Sequence, residues 1–409
     1  RSLSYIAFFL SPLAYSQDGD SQRAYWVVLI ALVFTWLFLR QRIKSIEKFE
    51  PYVVLIYSTM LIIQQMIIAK GDIFFGLKFF VATVAAFFPF WVLRSTHWYV
   101  LDVVTPLRRS IDILFLIVVL QIFSSFFFGV GERYEGGLVG FRAFGFLGDS
   151  FTSVITFLVL YFWLDRKWIY TTLALACLLM TGGKMGILMM AAMFAIHFSL
   201  FSRSAVKPLF IIAGMFVLMK TLVNPYWPLD ILSNIKNFEF ALNNRLFSFQ
   251  VGWTYFQENP IIGIGINEGL YRVREDTDVL ADSLGIDNYF AVGQVHNAYL
   301  RTLSETGLIG ACLLLMLVFY WVKGAVRALR VSRGLPLCPE RAFLAASGIW
   351  VICFTLGYQT TGWFENGHPQ LAWLLMFSTF NSIILERTSV KMRATTSWQA
   401  NVSGGAIAK

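Results

Sequence analysis

The sequence predicts an all-α, polytopic membrane protein with about twelve transmembrane helices and one large loop on the outer face. Three observations predict it. Of 409 residues, 57% are hydrophobic and only 14% charged, against roughly 45–50% and about 25% in an ordinary soluble domain. The apolar residues fall in runs suited to crossing a hydrocarbon slab about 30 Å thick as helices, which satisfy their own backbone polar groups. Lys and Arg gather in alternate connections between those runs, the pattern left when positive loops stay cytoplasmic. A single water-solvated core is excluded, because such cores stop growing near roughly 250–300 residues and 40 Phe and 13 Trp are spread through the runs.

In chain order the runs are 2–15, 24–39, 52–69, 73–93, 111–130, 151–164, 168–180, 185–201, 208–223, 298–322, 342–357 and 371–385. Arg40, Arg42, Lys44 and Lys48 follow the second run; Arg94, Arg108 and Arg109 lie between the fourth and fifth; Arg166 and Lys167 join the sixth to the seventh. Arg203 and Lys207 follow the eighth, Lys323, Arg327, Arg330, Arg333 and Arg341 separate the tenth from the eleventh, and Arg387, Lys391, Arg393 and Lys409 follow the last. These connections are assigned to the cytoplasm, with both termini. The stretch 224–297 is then outside. It holds Asp230, Glu239, Glu258, Glu268, Glu275, Asp276, Asp278, Asp282 and Asp287 against Lys236, Arg245, Arg272 and Arg274. The expected layout is nine membrane helices over 1–223, a periplasmic loop with amphipathic helices over 224–297, three more membrane helices over 298–385, and a cytoplasmic tail over 386–409. The net charge of +9 is a topological label plus attraction to anionic headgroups, and no nucleic-acid partner is expected. Cys177, Cys312, Cys338 and Cys353 have neither disulfide-framework nor zinc spacing.

Within the outer loop, residues 228–256 space apolar side chains at helical intervals, as an interfacial amphipathic helix does. The run Glu-Asn-Pro-Ile-Ile-Gly-Ile-Gly-Ile-Asn at 258–267 then reads as a stop and a tight glycine turn. Gly263, Gly265 and Gly269 approach a dinucleotide fingerprint, but the third glycine is one place late and no strand–helix–strand unit surrounds them.

His296 and Asn297 stand where the loop enters a membrane helix, whose amino-terminal N–H groups suit phosphate. Arg301 and Glu305 follow four residues apart, a spacing that lets them pair. Glu305 lies about two turns inside, either as a functional charge or as half of a structural salt bridge. Of the histidines, His97 and His197 fall on the cytoplasmic side, while His296 and His368 reach the outer face. His368 reads as part of a turn. His296 is either a structural hydrogen-bonder or a neutral base near pH 7. Arg142, Lys184 and Arg245 are cations on a face that otherwise excludes them. Snorkelling, interfacial anchoring and a solvated helix face explain them singly; binding of an anion such as a diphosphate explains them together. No Asp-x-Asp or acidic triad offers a magnesium site on this face, so neither metal nor cofactor is expected.

These residues resemble the O-antigen ligase and polymerase family of bacterial envelope enzymes. The likeness is carried by Arg142-Ala-Phe-Gly145 opening a helix, Thr181-Gly-Gly-Lys-Met-Gly186, the Arg245 segment running into Asn259-Pro-Ile-Ile-Gly-Ile-Gly265, and His296-Asn-x-x-Leu300 with Glu305-x-Gly307 and Gly310. One departure is Lys184, where the family usually has arginine. The resemblance implies a GT-C-like fold in the bacterial inner membrane and metal-independent, inverting glycosyl transfer on the periplasmic side. An oligosaccharide would leave undecaprenyl diphosphate for an acceptor sugar hydroxyl, on lipid A core for a ligase or on another lipid-linked repeat for a polymerase. His296 would orient or deprotonate the acceptor; Arg245, Lys184 and Arg142 would stabilise the departing diphosphate; Asn297, Arg301 and Glu305 would support them. The competing class is a transporter, such as a flippase for the same lipid-linked sugars. It accounts for the helices and cations equally well, but not for a histidine and a covering loop on one side only.

Overall fold

The computed structural model describes residues 49–68, 87, 90–91, 104–130, 132–135, 141–145, 152–181, 184–201, 249–265, 297–357, 371 and 373–389. The expected runs 2–15, 24–39 and 208–223, most of 73–93, and most of the outer loop lie outside them. In chain order the described elements are α1 (Phe49–Ile68), α2 (Val104–Phe128), β1 (Glu132–Glu135), β2 (Phe141–Gly145), α3 (Thr152–Leu164), α4 (Trp168–Met180) and α5 (Lys184–Phe201). They continue with α6 (249–258), α7 (Ala298–Gly334), α8 (Pro339–Gly357) and α9 (373–389). The helical class holds, and among the described residues α2, α7 and most of α8 are long and apolar enough to cross a membrane.

Two helices outrun the apolar runs that predict them. α2 starts at Val104 and takes Arg108 and Arg109 into its first turns, and α7 continues to Gly334 with Lys323, Arg327 and Arg330 on helix rather than in a loop. Lys and Arg are good helix formers, so a helix leaving lipid need not stop there. α7 ends where Gly334 and Pro336 break it.

One motif folds otherwise than expected. Arg142-Ala-Phe-Gly145 does not open a helix; it lies in β2, paired antiparallel with β1 so that Tyr134 opposes Arg142 and Arg133 opposes Ala143. Aromatic residues on both short segments suit extended backbone. The next described helix is α3 from Thr152.

The core is centred on α3, whose residues from Thr152 to Phe162 are all buried and which packs against α4, α5 and α8. Phe157 meets Phe377 of α9 at 4.2 Å between ring centroids. Indole donors tie helices across the bundle: Trp350 Nε1 donates to the Ser153 carbonyl at 2.6 Å, and Trp321 Nε1 to Glu50 Oε1 at 2.7 Å. Outward-facing apolar side chains include Phe128, Ile169, Phe319 and Leu356. Exposing them to water costs roughly 25 cal/mol per Å² of apolar surface, and lipid removes that cost.

Candidate active site at a broken helix

Asn297 starts the site. Its backbone is extended (φ −145°, ψ 117°), and its Oδ1 accepts hydrogen bonds from the Tyr299 and Leu300 amides, both at 3.0 Å. This N-cap aims α7 and commits two of the amides that the sequence suggests for phosphate, so the helix terminus is not an open anion site. Tyr299 anchors the same turn to α8 by donating its hydroxyl to the Thr355 carbonyl.

One turn further, Arg301 Nε donates to Glu305 Oε1 at 3.0 Å. The expected pairing forms, with side chains only 3% and 8% exposed. Taking two charges out of water costs several kcal/mol per ion, which close geometry must offset. The pair is therefore placed where a charge is costly unless held.

Just beyond it α7 breaks. Gly307 has φ 66° and ψ −166°, so the N–H groups of Leu308 and Ile309 cannot reach the carbonyls of Ser304 and Glu305. The glycine turn replaces each lost partner. Ile264 donates to the Ser304 carbonyl and Gly265 to the Glu305 carbonyl, both at 3.0 Å; Leu308 donates to the Pro260 carbonyl at 2.8 Å and Ile309 to that of Ile261 at 3.3 Å. Broken backbone at membrane depth is tolerated only where protein or water satisfies it, and here Pro260–Gly265 does so. Gly263 and Gly265 reach φ 71° and 109° to make the turn. Gln64 of α1, only 2% exposed, donates through Nε2 to the carbonyls of both Ile262 and Glu305. Three segments distant in sequence thus close on one point.

Asn297, Arg301 and Glu305 are brought together on the opening turns of α7. Lys184 is the first residue of α5, which starts tight against α3: a Cβ on Gly186 would collide with Thr152. Arg142 is on β2, which packs against α2. Arg245 and His296 lie outside the described residues, as do His97 and His368. Their neighbours are placed: α6 begins four residues after Arg245, and Asn297 follows His296 directly. Sequence reasoning missed Gln64 and the break at Gly307. The signals were a Gln-Gln pair inside an apolar run and an Asn-Pro-x-x-Gly-x-Gly turn that needs unpaired backbone elsewhere to bind.

A polytopic helical protein with a buried ion pair beside a clamped break in a membrane helix is the class that fold and site define. Residues 169–315 match the family described as O-antigen ligase, a segment running from α4 through the glycine turn to the middle of α7. Over that span, roughly a third of its length, the chain is similar to O-antigen ligases. A comparison with curated proteins gave no match.

Proposed function

We propose that the chain is a glycosyltransferase working on the periplasmic face of a bacterial inner membrane, moving a glycan from undecaprenyl diphosphate to an acceptor sugar hydroxyl. The acceptor is another lipid-linked repeat for a polymerase or lipid A core for a ligase. One observation carries this reading: the glycine turn, which follows the helix that begins four residues after Arg245, is hydrogen-bonded to the helix that starts two residues after His296. That attachment ties the described neighbours of Arg245 and His296 to one frame, which supports a reading that needs both side chains positioned together.

In this reading the acceptor oxygen attacks the anomeric carbon and its proton passes to His296. The bond from that carbon to the phosphate oxygen breaks, and the diphosphate leaves with the electron pair. Arg245, Lys184 and Arg142 stabilise the charge that grows on it. Removing one such donor typically costs roughly 2.7–4 kcal/mol of transition-state stabilisation. No metal or cofactor is invoked; Asn297, Arg301 and Glu305 hold the frame.

The test supplies purified protein with lipid-linked repeats in detergent and EDTA. Longer or transferred glycan with release of undecaprenyl diphosphate is expected, and His296→Ala should lose product while its melting temperature stays. The second reading, a flippase, draws on the broken helix, a device of transporters. Movement of lipid between leaflets of vesicles without a new glycosidic bond would establish it instead.

A further inference from the structure

A cleft of about 530 Å³ opens between the α3–α4 turn, the end of α5 and the link from α7 to α8. It is far from the break in α7: Gly334 lies 27 residues beyond Gly307, or roughly 40 Å at 1.5 Å per residue. The positive connections assign this end to the cytoplasmic leaflet. Arg166, Arg341, His197, Trp163, Trp168 and Phe201 line the cleft, and no carboxylate is among its described lining.

Arg166 is held at a cost. It has φ 59°, and the bonds around it, Arg166 N–H to the Trp163 carbonyl at 3.2 Å and Lys167 N–H to the Phe162 carbonyl at 2.9 Å, form a helix-ending motif whose left-handed residue is usually glycine. A non-glycine residue kept in that conformation points toward a use for its side chain. The neighbouring carboxylate does not neutralise it, because Asp165 is held by Arg108 and Lys167, each at 3.7 Å. Across the cleft, the Arg341 guanidinium lies 5.9 Å from the Phe201 ring centre and donates through Nη1 to the Leu335 carbonyl at 3.2 Å, which leaves most of its fork unused among the described residues. His197 Nδ1 is buried with no hydrogen-bond partner among the described residues. Two guanidinium groups and an unsatisfied imidazole nitrogen suit an oxyanion.

The rim identifies the source. Trp163 and Trp168 meet edge to face at 4.9 Å, and Trp168 and Leu337 of the lining are exposed. Tryptophans at this level mark the membrane–water interface, and basic pockets between helices on the cytoplasmic side hold acidic lipid headgroups. We propose that this cleft binds the phosphate headgroup of an anionic membrane lipid, independently of any glycosyl transfer.

The test titrates the full-length protein, in a neutral detergent, with cardiolipin or phosphatidylglycerol and counts bound lipid by native mass spectrometry. Arg166→Gly places glycine where the backbone favours it, so the variant should melt no lower than the wild type while binding lipid at least about tenfold more weakly, as loss of a charged hydrogen-bonding group implies. Adding Arg341→Gln should deepen the loss. Arg327→Gln, which removes an exposed cation of α7 outside the lining, should leave binding unchanged. Unaltered affinity in Arg166→Gly/Arg341→Gln, or equal weakening by Arg327→Gln, would overturn the site. Displacement of the lipid by an equal concentration of inorganic phosphate would overturn the lipid as its occupant.

Discussion

Gly263 and Gly307 meet backbone to backbone, both in the left-handed region at φ 71° and 66°. A Cβ on Gly307 would strike the Gly263 nitrogen and the Ile261 carbonyl; one on Gly263 would strike the backbone of Glu305 and Thr306. The glycine turn and the break in α7 therefore fit only because neither residue has a side chain.

Gly307→Ala and Gly263→Ala should each destabilise the protein by more than the roughly 1–3 kcal/mol that left-handed backbone alone costs a non-glycine residue, since the collisions add to it. Thermal unfolding in detergent measures this. Wild-type melting in either variant would mean the contact is not made.

Breaking the Arg301–Glu305 pair on one side should be severe. Glu305→Gln leaves a buried guanidinium without its counter-charge, at about 3–5 kcal/mol. Replacing both, as Arg301→Met with Glu305→Leu, should recover most of that stability because well-packed apolar residues often match a buried ion pair. Glycan transfer by the double variant separates the two roles: activity at wild-type level makes the pair structural, whereas a stable but inactive protein assigns it to the reaction.

Gln64→Leu should loosen the clamp without dismantling α1. Removing Nε2 deprives the Ile262 and Glu305 carbonyls of a donor, a loss of about 1–3 kcal/mol where such groups are buried. The amides of Ile264 and Gly265, bonded to α7 at 3.0 Å, should then exchange hydrogen roughly tenfold faster or more, on the scale of 1.4 kcal/mol per tenfold. Unchanged exchange would dismiss Gln64 as a third support.

At the opposite end, burial raises the Asp165 carboxyl above the ordinary carboxylate range, and Asp112 adds to it, outweighing Arg108 and Lys167. A raised native value favours the protonated form on folding. Its stabilisation is full below the carboxylate's ordinary pKa and is lost as pH rises through the native one. Asp165→Asn should flatten this part of the stability profile and melt no lower than wild type at pH 7. A variant clearly less stable at neutral pH would show that the two ion pairs win.

Much of the site was legible. Asn297 as the helix start, the four-residue step from Arg301 to Glu305 and the turn at Gly263 and Gly265 all follow from local rules, because caps, ion pairs along a helix and glycine turns involve residues close in sequence. The assignment of Arg142 to a helix opening failed for the complementary reason: strand pairing with Glu132–Glu135 decides that segment, and no property of Arg142-Ala-Phe-Gly145 alone announces its partner.

The sequence by itself determined a helical membrane protein and a likeness to O-antigen ligases, since composition, periodicity and local motifs act without knowledge of neighbours. Only the tertiary structure decided that α7 breaks at Gly307, that Pro260–Gly265 satisfies the four groups so released, and that Gln64 reaches them from α1. A broken helix survives in a membrane only if partners from elsewhere replace its lost hydrogen bonds, and those partners are chosen by the fold.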